Sequence, residues 1–367
     1  MKIVVTGSNG FIGKNLCATL AEHDHYEVNE VHRDTSEKDL HAYLSTADFI
    51  FHLAGINRPK EISEFTTGNV DLTKRIIETL QKFKLNTPIV FSSSIQAEQN
   101  NPYGKSKLEA EEVIKNYSAS TGALHYIYRL PNVFGKWCKP NYNSFIATFC
   151  NNIMNGSEIS INNPNAPVDL VYIDDICETW LNILEGKVKP GYNKVSAVFN
   201  TTVGEVARII SSFKDSRTTL TTERVGIGLT RALYATYLSY THPKNFSYRL
   251  ESHRDERGVF CEMLKTHDSG QLSFFTAHPG VTRGGHYHHT KAEKFLVIKG
   301  KAKFGFRHIL TGEQYSITTS GDSPEVVDTV PGWSHNITNV GSDDLMVMLW
   351  ANEIFNPEKP DTQAAIV

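Results

Sequence analysis

The chain has 367 residues, 40% hydrophobic and 21% charged, with 37 Lys plus Arg against 40 Asp plus Glu for a formal charge of -3. That length exceeds the ~100 to 200 residues one core usually organises, so two domains are expected, and the composition excludes a disordered chain. The near-balanced charge gives no bulk drive toward nucleic acid or an anionic membrane, which leaves small molecules and other subunits as partners. No run approaches the roughly 18 apolar residues of a spanning helix, and the N-terminus shows no cleavage-like site, so a soluble, cytoplasmic protein is expected. Cys17, Cys138, Cys150, Cys177 and Cys261 are scattered without CxxC spacing, which fits packing residues in a reducing compartment.

In chain order, β-branched runs at Lys2 to Thr6, Val28 to His32, Phe49 to Leu53 and Ile89 to Ser93 predict strands. Helical spacing of apolar residues predicts helices over Phe11 to His23 and Asn69 to Phe83, with Val70, Ile77 and Leu80 on one stripe. Strand and helix in alternation predict a parallel, doubly wound α/β sheet. Helical patterns continue through Asp174 to Leu184 and Thr202 to Phe213, and the first domain is expected to span 1–248. From Gly258 onward short strand-like runs, among them Gln271 to Thr276, Lys294 to Lys299, Lys301 to Arg307 and Leu345 to Ala351, alternate with turn residues. They predict an all-β domain over 249–367.

The first strand runs into Thr6-Gly7-Ser8-Asn9-Gly10-Phe11-Ile12-Gly13 and then a helix, which predicts a dinucleotide cradle. Glycine permits the tight turn and close packing, and free amides at the helix start, with the helix dipole, hold a pyrophosphate. Gly7, Asn9, Gly10, Phe11, Ile12 and Gly13 are the candidate contacts. The second strand ends in Val31-His32-Arg33-Asp34, where ribose specificity is read: Arg33, beside His32, suits a 2′-phosphate and favours NADPH, while Asp34 argues for NAD. Tyr103 and Lys107 stand four apart on one face of a helix, so both can meet one ligand, and a neighbouring ammonium lowers a phenol's pKa toward useful acid-base chemistry. Ser94 ends the fourth strand at the carboxyl edge of the sheet, placed to hydrogen-bond a reacting carbonyl.

TGSNGFIG, FHLAG, the Ser92-Ser93-Ser94 triplet, YGKSK and RLPNVFG together resemble the extended short-chain dehydrogenase/reductase family over about two thirds of the chain. The resemblance implies a Rossmann-type domain whose catalytic residues are Ser94, Tyr103 and Lys107. It implies that Leu53, Ala54 and Gly55 flank the cofactor, which Tyr103 and Lys107 also contact, that Asn69 lies behind the site and that Asn132 meets a nucleotide sugar. Only eight residues separate Ser94 from Tyr103, shorter than is common in that family, so substrate contacts there are not carried over.

In the C-terminal part, His286 and His288 at i and i+2 face one side of a strand, and Glu293 and His335 complete a set of three His and one carboxylate suited to a divalent cation. His289 points to the opposite face. The pattern HxH, four residues, Glu, six residues, Gly, then PGWSH and Asn339 resembles the cupin superfamily, which implies a double-stranded β-helix barrel, with zinc as the metal.

The two domains in one chain resemble the bifunctional enzymes of capsular polysaccharide synthesis in the UDP-N-acetyl-L-fucosamine pathway. That resemblance implies 3-epimerisation of a UDP-2-acetamido-2,6-dideoxy-4-ketohexose by the cupin, then NADPH reduction of the 4-ketone by the first domain, in a homodimer. Tyr287, His289, Lys294, His308 and Asp328 are the candidates for epimerase acid and base, and Arg283 for holding the diphosphate. The alternative is a single-activity NADPH-dependent 4-ketoreductase whose cupin is a structural, sugar-binding or dimerisation module.

Overall fold

The strand that opens the chain, β1 (Lys2–Thr6), is central to a sheet rather than marginal, because Val4 and its neighbours are wholly buried on both faces. The structure is a computed structural model that describes all 367 residues. Two compact units are present: Met1–Ser211 with Arg231–Thr241, and Ser212–Thr230 with His242–Val367.

In the first unit β1, β2 (Glu27–Val31), β3 (Phe49–His52), β4 (Ile89–Ser94) and β5 (His125–Leu130) are followed by β6 (Asn132–Phe134), β7 (Pro167–Tyr172), β8 (Gly191–Asn193) and β9 (Phe199–Thr202). Six of these form one parallel sheet in the order β2-β1-β3-β4-β5-β8, and β6-β7-β9 form a small second sheet. The strand order reverses beside β1, so the carboxyl ends of β1 and β3 frame the crevice where open α/β sheets bind ligands. Val4, Ile50, Phe91 and Ile127 pack with Ile76, Leu80 and Ile114 of the flanking helices, each such burial contributing ~1.5 to 3 kcal/mol.

The helix expected over 69 to 83 is broken in character. Its first turn, Thr66–Asp71, is π-helical, and the α-helix runs Leu72–Lys82. Gly68 lies in that turn against Ile56, where an added Cβ would come within 2.4 Å of the Ile56 side chain. Such π-turns re-aim side chains, and here the re-aimed residue is Asn69.

The second unit carries β10 (Thr221–Thr222), β11 (Ser252–Asp255), β12 (Gly258–Thr266), β13 (Gly270–Ala277), β14 (Thr282–Tyr287), β15 (Glu293–Lys299) and β16 (Lys301–His308). It continues with β17 (Gln314–Ser320), β18 (Val326–Thr329), β19 (Trp333–Asn339), β20 (Leu345–Ala351) and β21 (Gln363–Ala364). One sheet orders β10-β12-β13-β20-β15-β18 with β11 on β12, and the other orders β17-β16-β19-β14-β21. Phe275, Phe295, Val347, Phe304 and Ile337 from the two sheets share one core, with the Phe295 and Phe304 rings 5.8 Å apart. No helix anywhere is long and apolar enough to cross a membrane.

The division between units differs from the expected one at 248/249, since residues 212–230 group with the second unit. The reason is backbone pairing over long sequence separation: β10 runs parallel to β12 at Lys265 and Thr266, Lys265 N–H donates to Leu220 O at 2.7 Å, and Arg224 pairs with Asp268 at 2.7 Å.

Candidate functional site

In the first unit the turn after β1 is built around two glycines. Gly7 has φ +73°, and a Cβ there would stand 2.7 Å from Ala54 N. At Gly13 a Cβ would stand 2.2 Å from Gly7 O. The loop Leu53–Gly55 is tied to the same turn, because Thr6 Oγ1 accepts N–H bonds from Leu53 and Ala54, each at 3.2 Å. Gly10 caps the helix Phe11–Ala21 without a side-chain hydrogen bond, which leaves the first-turn amides of Phe11 and Ile12 for an anion. A cradle that a single methyl would fill fits the pyrophosphate of a dinucleotide. Gly13→Ala is accordingly expected to raise the KM for the nicotinamide cofactor and to lower stability by ~1 to 3 kcal/mol, read by steady-state kinetics and thermal melting. An unchanged KM would remove the cradle from cofactor binding.

Asn9 lies exposed in that turn. Beyond β2 the chain turns with His32 N–H donating to Thr35 Oγ1 at 2.9 Å, which leaves Arg33 and Asp34 exposed at the sheet's carboxyl edge. Arg33 has no carboxylate partner there, whereas Asp34 lies 3.8 Å from His32 Nδ1.

Ser94 ends β4, and its hydroxyl acts on the phenol of Tyr103, which stands on the helix Pro102–Thr121. Burial pushes the phenol's pKa up, and the Ser94 hydroxyl is the counterweight. This differs from the expectation that Lys107 lowers it. Four-residue spacing puts Tyr103 and Lys107 on one helical face but does not set where the lysine reaches. Its ammonium dips toward the sheet, 4.5 Å from the centre of the Phe91 ring, and a Cβ on Gly55 would lie 3.5 Å from Nζ. Burial lowers Lys107 to about 8, against the opposing pull of Glu111.

Two features behind this site escaped the sequence reading. Glu111, a further turn along the helix, is fully buried and accepts the Ser93 hydroxyl, the Tyr192 hydroxyl at 2.8 Å, and Arg129 through Nε at 3.0 Å and Nη2 at 2.6 Å. The i+4, i+8 continuation from Tyr103 was its only signal. His52, also fully buried, lies 2.7 Å from Thr6 Oγ1 and 2.8 Å from Thr73 Oγ1, and burial, aided by the Lys107 charge, holds it neutral with a pKa of about 3. Asn69 accepts from Ile56 N at 2.7 Å and donates to Ser106 Oγ at 2.9 Å, packing directly under Gly55. Asn132 is exposed on β6.

In the second unit His286, His288, Glu293 and His335 converge, with one potential ligand atom from each within 4.8 Å of all the others. Consecutive glycines at positive φ, Gly284 and Gly285, bulge β14 and set His286 opposite His335 of β19, their rings 4.7 Å apart. Glu293 Oε2 stands 3.2 Å from His288 Nε2 and 3.2 Å from His335 Nε2. Burial works to raise Glu293, yet the flanking imidazoles and Lys291 hold its carboxyl well below the usual range. Burial and the neighbouring imidazoles lower His286 to about 4. Both ring nitrogens of His335 are buried without an aligned hydrogen bond. Buried, orphaned nitrogens around one carboxylate are what a divalent cation satisfies, so the residues present fit a metal.

His286 and Glu293 line a cavity of about 530 Å³ together with Arg257, Arg283, Lys291 and Asp255. None of the five residues considered as epimerase acid or base lines it. Lys294 and Asp328, both exposed, pair at 2.6 Å across β15 and β18, His308 packs on Trp333, and His289 is exposed beside Tyr287. Their positions come from cross-strand register, which spacing along the chain does not reveal.

Residues 3–196 match the NAD dependent epimerase/dehydratase family, and residues 253–363 match the polysaccharide biosynthesis C-terminal domain. The chain is 54% identical over its full length to UDP-2-acetamido-2,6-beta-L-arabino-hexul-4-ose reductase of Pseudomonas aeruginosa, covering 99% of that protein. The crystal structure of the capsular polysaccharide assembling protein CapF from Staphylococcus aureus superposes with a TM-score of 0.93 at 45% identity, covering 100% of both chains. UDP-glucuronic acid 4-epimerase from Bacillus cereus, solved with NAD, shares the fold of the first part, with a TM-score of 0.56 at 19% identity over 65% of this chain and 98% of its own. The chain belongs to the NAD dependent epimerase/dehydratase family, is a full-length homologue of CapF and of a UDP-sugar 4-ketose reductase, and carries the polysaccharide biosynthesis C-terminal domain.

Proposed function

We propose that the chain is a bifunctional enzyme of UDP-N-acetyl-L-fucosamine synthesis for capsular polysaccharide. On this reading the C-terminal cupin, a double-stranded β-helix barrel, epimerises carbon 3 of a UDP-2-acetamido-2,6-dideoxy-4-ketohexose, and the N-terminal domain then reduces the 4-ketone with NADPH. The observation that carries the reductive half is the convergence of Ser94, at the end of β4, with Tyr103 on the helix Pro102–Thr121 and Lys107 buried one turn on, at the carboxyl edge of the parallel sheet. The full-length similarity to a reductase named for a UDP-4-ketose supports the substrate class.

The turn from Gly7 to Gly13, Leu53 to Gly55 and Arg33 are the residues that would hold NADPH, which would supply the hydride. Ser94 donates to the carbonyl oxygen, and Tyr103 delivers a proton to the oxygen as charge develops there. Lys107 contributes a buried positive charge beside Gly55, on the side of the site where the cofactor would lie. The rate of reduction is therefore expected to fall as pH rises through about 8, where Lys107 loses its proton, because burial has lowered that pKa below the ordinary lysine range. A kcat/KM profile flat to pH 10 would rule this out.

Carbon 3 is acidic only while carbon 4 is a ketone, so epimerisation precedes reduction. His286, His288, Glu293 and His335 would hold a divalent cation, zinc on this reading, which would supply Lewis-acid polarisation of that ketone. Arg283 and Arg257 line the same cavity and suit the diphosphate. The near-complete burial of His288, Glu293 and His335 favours a second reading, a closed structural metal site in a binding or dimerisation module. The exposure of His286 and Glu293 to the cavity favours the catalytic one. Assembly as a cytoplasmic homodimer belongs to the same proposal.

The test is purified 4-keto UDP-sugar in deuterated water, with and without NADPH, read by mass spectrometry and proton NMR. Deuterium at carbon 3 without NADPH, and loss of the ketone only with it, are expected. Reduction with the carbon 3 proton retained would leave a single-activity 4-ketoreductase.

A further inference from the structure

The end of the chain converges on the clustered histidines. The Asp361 carboxylate accepts the backbone N–H groups of His289 at 2.9 Å, Thr290 at 2.7 Å and Lys291 at 2.8 Å, and the Thr290 hydroxyl at 3.0 Å. Its carbonyl oxygen meets His288 Nδ1. Two residues on, β21 pairs with β14 at Tyr287 and His286, and Ala365 N–H donates to Gly285 O at 3.0 Å. Ser334, which precedes His335, donates to Ala365 O at 2.8 Å. Three of the four clustered side chains are thus held, directly or through a sequence neighbour, by residues 361–365.

The chemistry of the His288 contact is directional. A carbonyl only accepts, so Nδ1 carries a proton and Nε2 is the nitrogen left to face Glu293 and a cation. Outer hydrogen bonds of this kind fix the tautomer and ring orientation of a metal-bound histidine. The carboxylate does a second task. Three consecutive amides aimed at one acceptor hold the turn between His288 and Glu293 in a single conformation, and that turn sets the separation of two of the four ligands. Burial works to raise the Asp361 carboxyl, but those backbone bonds hold it well below its usual range.

We infer that residues 361–365 form a strap that assembles the metal centre, with Asp361 as its positioning residue, acting through His288 and the turn 289–291. The inference rests on reading the four side chains as a divalent-cation site. Nothing in it requires that the cation be catalytic.

The test uses the full chain. Zn²⁺ affinity is measured by competition with a chelating dye for the unaltered protein, Asp361→Asn, Asp361→Glu and His288→Ala, and amide hydrogen exchange is followed in the metal-free proteins. His288→Ala is expected to lose the site, and Asp361→Asn to weaken Zn²⁺ by about 10- to 100-fold. Asp361→Glu keeps the charge but displaces the acceptor, and it is expected to stay weakened. Exchange at 289–291 is expected to quicken in both Asp361 variants. Full affinity in Asp361→Glu would reduce Asp361 to a charge and overturn the positioning role, as would unchanged affinity and exchange in Asp361→Asn. Should the unaltered protein take up no Zn²⁺, the cation reading fails by itself, and exchange at 289–291 still decides the strap: quickened supports it, unchanged overturns it. Should Asp361→Asn not fold, Thr290→Ala removes one bond to the same carboxylate and is expected to weaken Zn²⁺ by about fivefold, with unchanged affinity counting against the strap.

Discussion

Tyr103→Phe is expected to slow ketone reduction by about 10²- to 10⁴-fold while leaving deuterium exchange at carbon 3 intact. The phenol hydroxyl is the proton donor proposed for the carbonyl that Ser94 would hold, and phenylalanine keeps the ring that packs 5.6 Å from Phe65. The variant therefore removes a proton donor from the site and little else. NADPH oxidation with the 4-keto UDP-sugar reads the first effect, and mass spectrometry in deuterated water reads the second. Loss of exchange together with reduction would mean that the two activities do not divide between the two units.

His288→Ala is expected to act in the opposite sense, abolishing cation binding and carbon 3 exchange by more than about 100-fold while reduction of an already epimerised substrate continues. The estimate exceeds the 10- to 100-fold typical of an outer hydrogen-bond partner, because His288 belongs to the ligand set itself. The substitution also leaves Glu293 with one fewer imidazole around a buried carboxylate, so the thermal midpoint of the second unit should fall. A variant that stays folded, exchanges carbon 3 normally and only melts earlier would assign the cluster a structural role. Circular dichroism beside the exchange assay separates these outcomes.

Much of the first unit is legible along the chain. The runs at Lys2 and Ile89 are strands because β-branched residues buried on both faces admit no other periodicity, and the helix from Phe11 begins where the glycine turn ends. The clustered residues of the second unit are legible in part: i, i+2 spacing brings His286, near the end of β14, and His288, just beyond it, together with their rings 5.0 Å apart. Electrostatics was less legible. Lys107 was expected to act on the phenol, but desolvation against Phe91 and attraction to Glu111 depend on how deep the helix lies, which spacing does not encode.

What the sequence by itself determined, then, is local: the glycine turn, the Tyr103 and Lys107 face, the histidine pair and the change from helical to strand periodicity, each set by neighbours within a few positions. Only the tertiary structure decided that residues 212–230 join the second unit, that Lys294 and Asp328 pair away from the cavity, and that Asp361 reaches back some seventy positions to hold the turn 289–291. Each of those depends on strand register or on backbone pairing at long separation. A one-residue slip in register would place the same side chains on the other face with no change in the pattern along the chain.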